Sequence, residues 1–229
     1  MIDLLQTPEA LGAPSYQRVR DAIRTDIARG ALAPNSRLKA VELANRYGLS
    51  PAPIREALGH LAAEGWVVIH PHRGAQVRAI NSTFLQELNE IRLGLESYLV
   101  GQAAVIATPT QIDALEAIES LYEATLAGAA PGGIQALIRI NLDLHRTIMT
   151  IRPNAEAAAL MSRHRSFFNS MRVAWGYSDY RPERIVKEHR QLLAAFRDND
   201  GDRAEKVSRE HVRNAMDDLL RLWREAGRD

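Results

Sequence analysis

The stretch "LSPAPIREAL" spans residues 49–58 and carries prolines at 51 and 53, yet "IREAL" has the look of a helix beginning. The two features agree if the stretch is a first helical turn. The first four N–H groups of a helix have no partner within it, so proline loses nothing there. Its fixed φ also suits the first helical position. Ser50 is then the expected N-cap, its hydroxyl accepting a backbone N–H. The prolines remove two backbone donors from an end that commonly meets phosphate when a helix faces DNA.

The flanking residues build a domain around this turn. "SYQRVRDAIRTDIARG" (15–30) places Tyr16, Val19, Ile23 and Ile27 at helical spacing, with Gly30 as a stop. "GALAPNSRL" reads as a turn-rich connection, and "AVELANRYG" (40–48) as a short helix stopped by Gly48. A third helix runs from Ser50 to Gly65, with Ile54, Leu58, Leu61 and Ala62 on one face. "WVVIH" (66–70) and "AQVRAI" (75–80) read as two short strands joined by "PHRG". Ala44, Gly48 and Leu49 suit a close helix–turn–helix corner, the arrangement that lays a helix in the major groove. Three helices and a hairpin make a winged helix-turn-helix pattern over residues 10–80.

After "INS" the period becomes helical almost throughout. Segments 83–107, 110–128, 131–151, 154–176, 181–199 and 201–226 are separated by "TPT", "AGAAPGG", "RPN", "GYSDYRP" and "DNDGD". The fold class expected is therefore mainly α, a winged helix-turn-helix domain followed by a bundle of about six to seven helices over 83–227. Such a bundle is large enough to enclose a pocket.

Composition narrows the function. The chain has 229 residues, 46% apolar and 25% charged, with no cysteine. That excludes disulfide frameworks and thiolate metal sites. No apolar run approaches the roughly 20 residues of a membrane span, and no secretory signal opens the chain, so a cytoplasmic location is expected. Residues 1–80 carry ten Lys/Arg against seven Asp/Glu, a balance of +3, whereas the whole chain is +1. The tilt permits nucleic-acid contact in the first third.

Four histidines fall in the bundle. Asn141 and His145 are at i and i+4, on one helix face. His189 and His211 each lie eleven residues from Asp200. In an antiparallel helix pair they share a height, roughly 16 Å from the turn. Three imidazoles from three helices are what a divalent metal needs, and scattered surface histidines fit the same spacing. His164 reads as structural. Arg92 and Glu96, also at i and i+4, read as a helix ion pair.

The stretch "RLKAVELANRYGLSPAPIREALGHLAAEGWVVIHPHRGAQV" resembles the reading head of the GntR family of bacterial transcription regulators. It matches that family's pattern at Leu38, Leu43, Ala44, Gly48, Ser50, Pro53, Arg55, Glu56, Ala57, Leu58, Leu61, Glu64, Gly65, Arg73, Gly74 and Val77. The resemblance implies a homodimer on a pseudo-palindromic double-stranded DNA operator, acting by default as a repressor. It implies DNA contacts at Ser50, Pro51, Ala52, Arg55 and Gly74. Pro51 and Ala52 stand where the family has Arg and often Thr, and Val41 where it often has Arg. The operator is therefore expected to differ from the family's usual one. Arg37, Lys39, Arg46, His70, His72 and Arg73 are the candidates for replacement phosphate contacts.

"EIRLGLESYLVGQAA", "NLDLHRTIMTIRPN" and "VKEHRQLLAAFRDNDGDRAEKVSREHV" resemble the all-helical FCD effector domain of the FadR-type branch. The resemblance implies a divalent metal on three His and an Asp, beneath a pocket for a small carboxylate effector. The matching positions are His145, His189, His211 and, in place of the Asp, Asn141. Losing that negative charge favours zinc or nickel over magnesium or calcium. Arg92 would lie near the effector. The chain is thus expected to be a ligand-responsive regulator and not an enzyme. The alternatives are a metalloenzyme, for which no obvious general base is present, Glu188 being expected on another face than His189, or a purely structural metal site.

Overall fold

The computed structural model describes residues 14–71 and 73–227. Among these are nine helices and three short strands. In chain order they are α1 (Ser15–Arg29), β1 (Arg37–Leu38), α2 (Ala40–Tyr47), α3 (Pro51–Ala63), β2 (Val67–His70), β3 (Gly74–Val77), α4 (Ser82–Ile106), α5 (Pro109–Leu126), α6 (Gly133–Ile151), α7 (Ala155–Trp175), α8 (Arg181–Arg197) and α9 (Gly201–Glu225). By contacts the chain divides into two compact units. One joins residues up to Ile80 with Arg165–Ala174, and the other joins Asn81–His164 with Trp175 onward.

The first unit is a winged helix. Val19, Ile23 and Ile27 of α1, Leu43 of α2, Ile54, Leu58 and Leu61 of α3, and Val77 of β3 are all buried. Arg24 of α1 clamps Glu64, just after α3, with Nη2 at 2.9 and 2.7 Å from its two oxygens. The sheet has the order β1-β3-β2, all antiparallel, with Arg37 opposite Gln76 and Val67 opposite Val77. β1 corrects the expectation that "GALAPNSRL" is only a connection. Two residues are too few to show alternation, and the strand exists because β3 offers it an edge.

Ser50 also departs from expectation. It sits at the N-cap of α3 in extended backbone (φ −76°, ψ 161°), but its side chain makes no capping bond. The reason lies in "SPAP": the usual acceptor target is the third helical N–H, and that position is Pro53, which has none.

The second unit is helical, and the six helices α4 to α9 match the six segments read from the sequence to within two residues at each end, Arg165–Ala174 of α7 being grouped with the first unit. Side chains cap the starts of α4, α5 and α9, whereas α6 and α8 begin without one. Asn81 accepts from Phe84 N, Thr108 and Gln111 form a capping box ahead of α5, and Asp200 accepts from Arg203 N. Val100, Ala104, Leu115, Leu144, Ile148, Leu192 and Phe196 form one apolar core. α4 and α9 meet at two glycines: a Cβ at Gly101 would lie 2.8 Å from the Gly201 carbonyl oxygen. No helix among the described residues is long and apolar enough to cross a membrane.

Candidate metal centre and nucleic-acid interface

The helix–turn–helix corner follows from three residues. Gly48 is in the left-handed region (φ 65°), and its N–H and that of Leu49 both reach back to the Ala44 carbonyl. α3 then starts with Pro51 and Ala52, the latter exposed. Arg55 is exposed on the first turns of α3 and makes no hydrogen bond or ion pair among the described residues. Beside it is a hollow lined by Arg37, Lys39, Leu58, Ile69 and Arg73. Four cationic side chains, counting Arg55, thus surround one depression.

Several of the other basic candidates already have partners. Lys39 Nζ is 2.6 Å from Glu42, and Arg37 Nε donates to the Arg73 carbonyl at 2.7 Å. Arg46 Nη2 lies 2.6 Å from Asp26, an oxygen that also accepts from the Tyr47 hydroxyl at 2.7 Å. Burial and this bond push the Tyr47 hydroxyl well above its ordinary range. Arg46 is therefore committed within the head. Gly74 has φ 84°, and a Cβ there would meet the Leu38 carbonyl at 3.4 Å, so the turn into β3 needs glycine. His70 is exposed and hydrogen-bonded to Gln76 Oε1 at 3.0 Å. His72 lies outside the described residues. Val41 is 62% exposed, an apolar side chain on the solvent face of α2.

In the bundle, His145 of α6, His189 of α8 and His211 of α9 come together. One ring nitrogen of each lies within 4.8 Å of the others. His145 Nε2 and His211 Nε2 are 3.0 Å apart. The ring centroids of His189 and His211 are 5.1 Å apart, and those of His145 and His189 5.8 Å. Burial accompanies convergence: His189 is 1% exposed and His211 4%. His189 Nε2 and Asn141 Oδ1 are buried without a hydrogen-bond partner. Asn141 precedes His145 by one turn of α6. Orphaned buried acceptors of this kind are costly unless something binds them. The donor set fits a dication: imidazole nitrogens with an amide oxygen available beside them.

Carboxylates surround the rings. His189 Nδ1 is 2.6 Å from Glu119 Oε2, and His211 Nδ1 is 2.7 Å from Glu188 Oε2. Glu188 also accepts from Arg181 Nη1 at 3.0 and 2.9 Å and from Asn214 Nδ2 at 2.7 Å. Arg184 Nε adds a fourth partner at 3.2 Å. This corrects the expectation that Glu188 faces away from His189. Neighbours on a helix are about 100° apart, and the three-histidine centre is wide enough to take both. Glu188 is equally no free base, since both its oxygens are already occupied.

Arg92 and Glu96 form the expected i,i+4 pair, Nε to Oε2 at 3.0 Å, but it is buried, with Arg92 8% and Glu96 3% exposed. Glu96 Oε1 lies 3.8 Å from His145 Nδ1. The pair thus edges the histidine centre. His164 bonds the Leu160 carbonyl of its own helix through Nδ1 at 2.9 Å, in keeping with a structural role.

The electrostatics keep two rings neutral. Burial pushes His189 down to about 3. Burial, then the neighbouring His145 and Arg181, hold His211 well below its ordinary value. Burial first, then the nearby Glu123, raises Glu119 to about 8, against the pull of Arg190. Neutral imidazole is the form that coordinates a metal.

Sequence reasoning missed Glu119 altogether. It sits between Glu116 and Glu123, at the spacing of a solvated charged face. What singles it out is the neighbouring Leu115 and Tyr122, both fully buried, which turn that face of α5 inward.

Comparison with known proteins gives two family matches. Residues 15–77 match the gntR family of bacterial regulatory proteins, and residues 87–214 match the FCD domain. The chain is similar to the HTH-type transcriptional repressor RspR of Escherichia coli K12, 23% identical over 212 residues, covering 93% of this chain and 92% of that protein. It is also similar to the Nta operon transcriptional regulator of Aminobacter aminovorans, 27% identical over 194 residues, covering 84% and 89%. Among solved structures, E. coli McbR/YncC superposes with a TM-score of 0.67 at 21% identity, covering 92% of this chain and 99% of that one. At that identity the likeness concerns the fold alone.

Proposed function

The chain belongs to the FCD-domain branch of the GntR family of bacterial regulatory proteins, and we propose that it is a transcription repressor whose DNA binding responds to a small carboxylate held at a metal centre. The families and relatives are transcription regulators, not enzymes. The observation that carries the sensing part is the convergence of His145, His189 and His211 in a buried setting.

In this reading residues 10–80 bind DNA and 83–227 bind the effector. α3 enters the major groove, and Arg55 reads a base edge. Ser50, Pro51 and Ala52 face the DNA at the start of α3. Arg37, Lys39, Arg73 and Gly74 line the wing side. Arg46 contributes through its hold on Asp26. Pro51 and Ala52 offer no hydrogen-bonding side chain, so specificity at their positions rests on contact and shape. A repressor of this kind works in the cytoplasm as a homodimer on a symmetric operator. The dimer is supported by Ile91, Tyr98 and Val105, exposed apolar residues recurring every seven positions along α4.

His145, His189 and His211 would hold the metal, with Asn141 as a neutral fourth donor. A bound dication supplies positive charge and an open position for a carboxylate. Zinc or nickel suits this set, since Asn141 lacks the charge that hard cations require. Arg92, paired with Glu96 at the edge of the centre, would orient the effector's carboxylate. The effector acts only by binding one DNA-binding conformation more tightly than another.

A thermal-shift screen of small carboxylates, with and without added Zn²⁺ or Ni²⁺, tests the reading. A ligand that binds the folded state raises the melting temperature by mass action. Stabilisation by a carboxylate that requires the metal supports it, and no metal-dependent stabilisation across the panel removes it.

A further inference from the structure

One of the three histidines is fixed from behind. Glu188 is held by Arg181 at both oxygens, by Arg184 and by Asn214. A carboxylate restrained by three side chains from two helices cannot turn freely. Its Oε2 meets His211 Nδ1 at 2.7 Å. An ionised carboxylate only accepts, so Nδ1 carries the proton and Nε2 the lone pair. Across the centre, Glu119 of α5 meets the Nδ1 of His189 at 2.6 Å, but burial and Glu123 raise its carboxyl to about 8, and a protonated carboxyl donates as well as accepts. His145 differs, for its nearest carboxylate, Glu96, lies 3.8 Å from Nδ1. The 3.0 Å contact between His145 Nε2 and His211 Nε2 then has His145 as donor, because His211 has spent its proton on Glu188.

We propose that Glu188 is a positioning residue, which selects the Nδ1–H tautomer of His211 and so turns its Nε2 toward the metal site. The inference rests on the metal-centre reading and deepens it. It gives the site one preset ligand, His211. A hydrogen-bonded carboxylate behind a ligating imidazole fixes ring orientation and raises its basicity, and losing one typically costs about 10- to 100-fold in metal affinity.

The test uses the full-length protein and the variants Glu188→Gln and Glu188→Asp. Zn²⁺ affinity is measured by competition with a chromophoric chelator, and imidazole ¹⁵N shifts report the tautomers in metal-free protein. The expected result is a loss of about 10- to 100-fold in Zn²⁺ affinity in each variant. In Glu188→Gln the single Nδ1–H pattern of His211 should also be lost. A merely structural role would lower the melting temperature and leave affinity and tautomer of the folded protein unchanged, and that result overturns the proposal. Glu188→Asp keeps the test sharp should Glu188→Gln fold poorly, since it retains the charge beside Arg181 and shortens the reach to His211. If the wild type itself binds no Zn²⁺, the metal reading fails. The ¹⁵N shifts then decide separately, an unchanged His211 tautomer in Glu188→Gln sinking the positioning role as well.

Discussion

Glu188 and Arg181 form a buried ion pair in α8, with Nη1 at 3.0 and 2.9 Å from the two carboxylate oxygens and the arginine side chain 1% exposed. Seven residues apart on one helix, they link its first turn to the histidine centre. Removing one member leaves the other charged and without its partner in a dry site.

Arg181→Ala is therefore expected to destabilise the protein by about 3–5 kcal/mol. Arg184 touches the same carboxylate, but its side chain is 51% exposed, and Arg184→Ala should cost only about 0–1 kcal/mol. Urea unfolding of the two variants checks the contrast, and equal costs would contradict the geometry.

His189→Ala should abolish stoichiometric metal binding. His189 contributes an orphaned buried Nε2 to the centre, and removing one of three imidazoles leaves too few ligands for a zinc-type site. Elemental analysis of purified protein decides the point: equal metal content in variant and wild type would take His189 out of the site.

Asn141→Asp should tighten divalent metal binding. It adds a negative charge one turn from His145, and even in a moderately polar site such a charge outweighs about 1.4 kcal/mol, or tenfold. The gain should be larger for Mg²⁺ or Mn²⁺ than for Zn²⁺, since hard cations depend more on carboxylate oxygen. Isothermal titration calorimetry with each metal measures it. A variant that binds every metal as the wild type does would place residue 141 outside the coordination shell.

Gly101→Leu should destabilise the bundle by about 1–3 kcal/mol by overpacking. Its Cβ alone would meet the Gly201 carbonyl oxygen at 2.8 Å, a backbone atom that cannot swing aside. Thermal melting of the variant checks this, and an unchanged melting temperature would mean that α4 and α9 cross less closely.

Much of this was legible in residue order. The caps at Asn81, Thr108 and Asp200 are local chemistry, and Gly and Pro breaks with helical periodicity mark the remaining helices. The equal spacing of His189 and His211 about Asp200 announced their meeting, because an antiparallel helix pair preserves distance from its turn. What could not be read was set by packing. β1 has two residues and no period. Ser50 was read as a hydroxyl cap, but Pro53 had already removed the donor. Glu119 and Glu188 carry no spacing signal, and their inward direction comes from the rotation of α5 and α8 about their axes, which neighbouring side chains decide.

The central claim joins sensing to DNA binding, and one measurement addresses both. Fluorescence anisotropy of labelled DNA from upstream of the protein's own operon is followed with the Zn²⁺-loaded protein, with and without the carboxylate that stabilises it. The account predicts sequence-selective, salt-sensitive binding, weakened by roughly 1–3 kcal/mol in Arg55→Ala and shifted by the carboxylate only when His189 is intact. Selective binding that no carboxylate shifts, or a shift that survives His189→Ala undiminished, would contradict it.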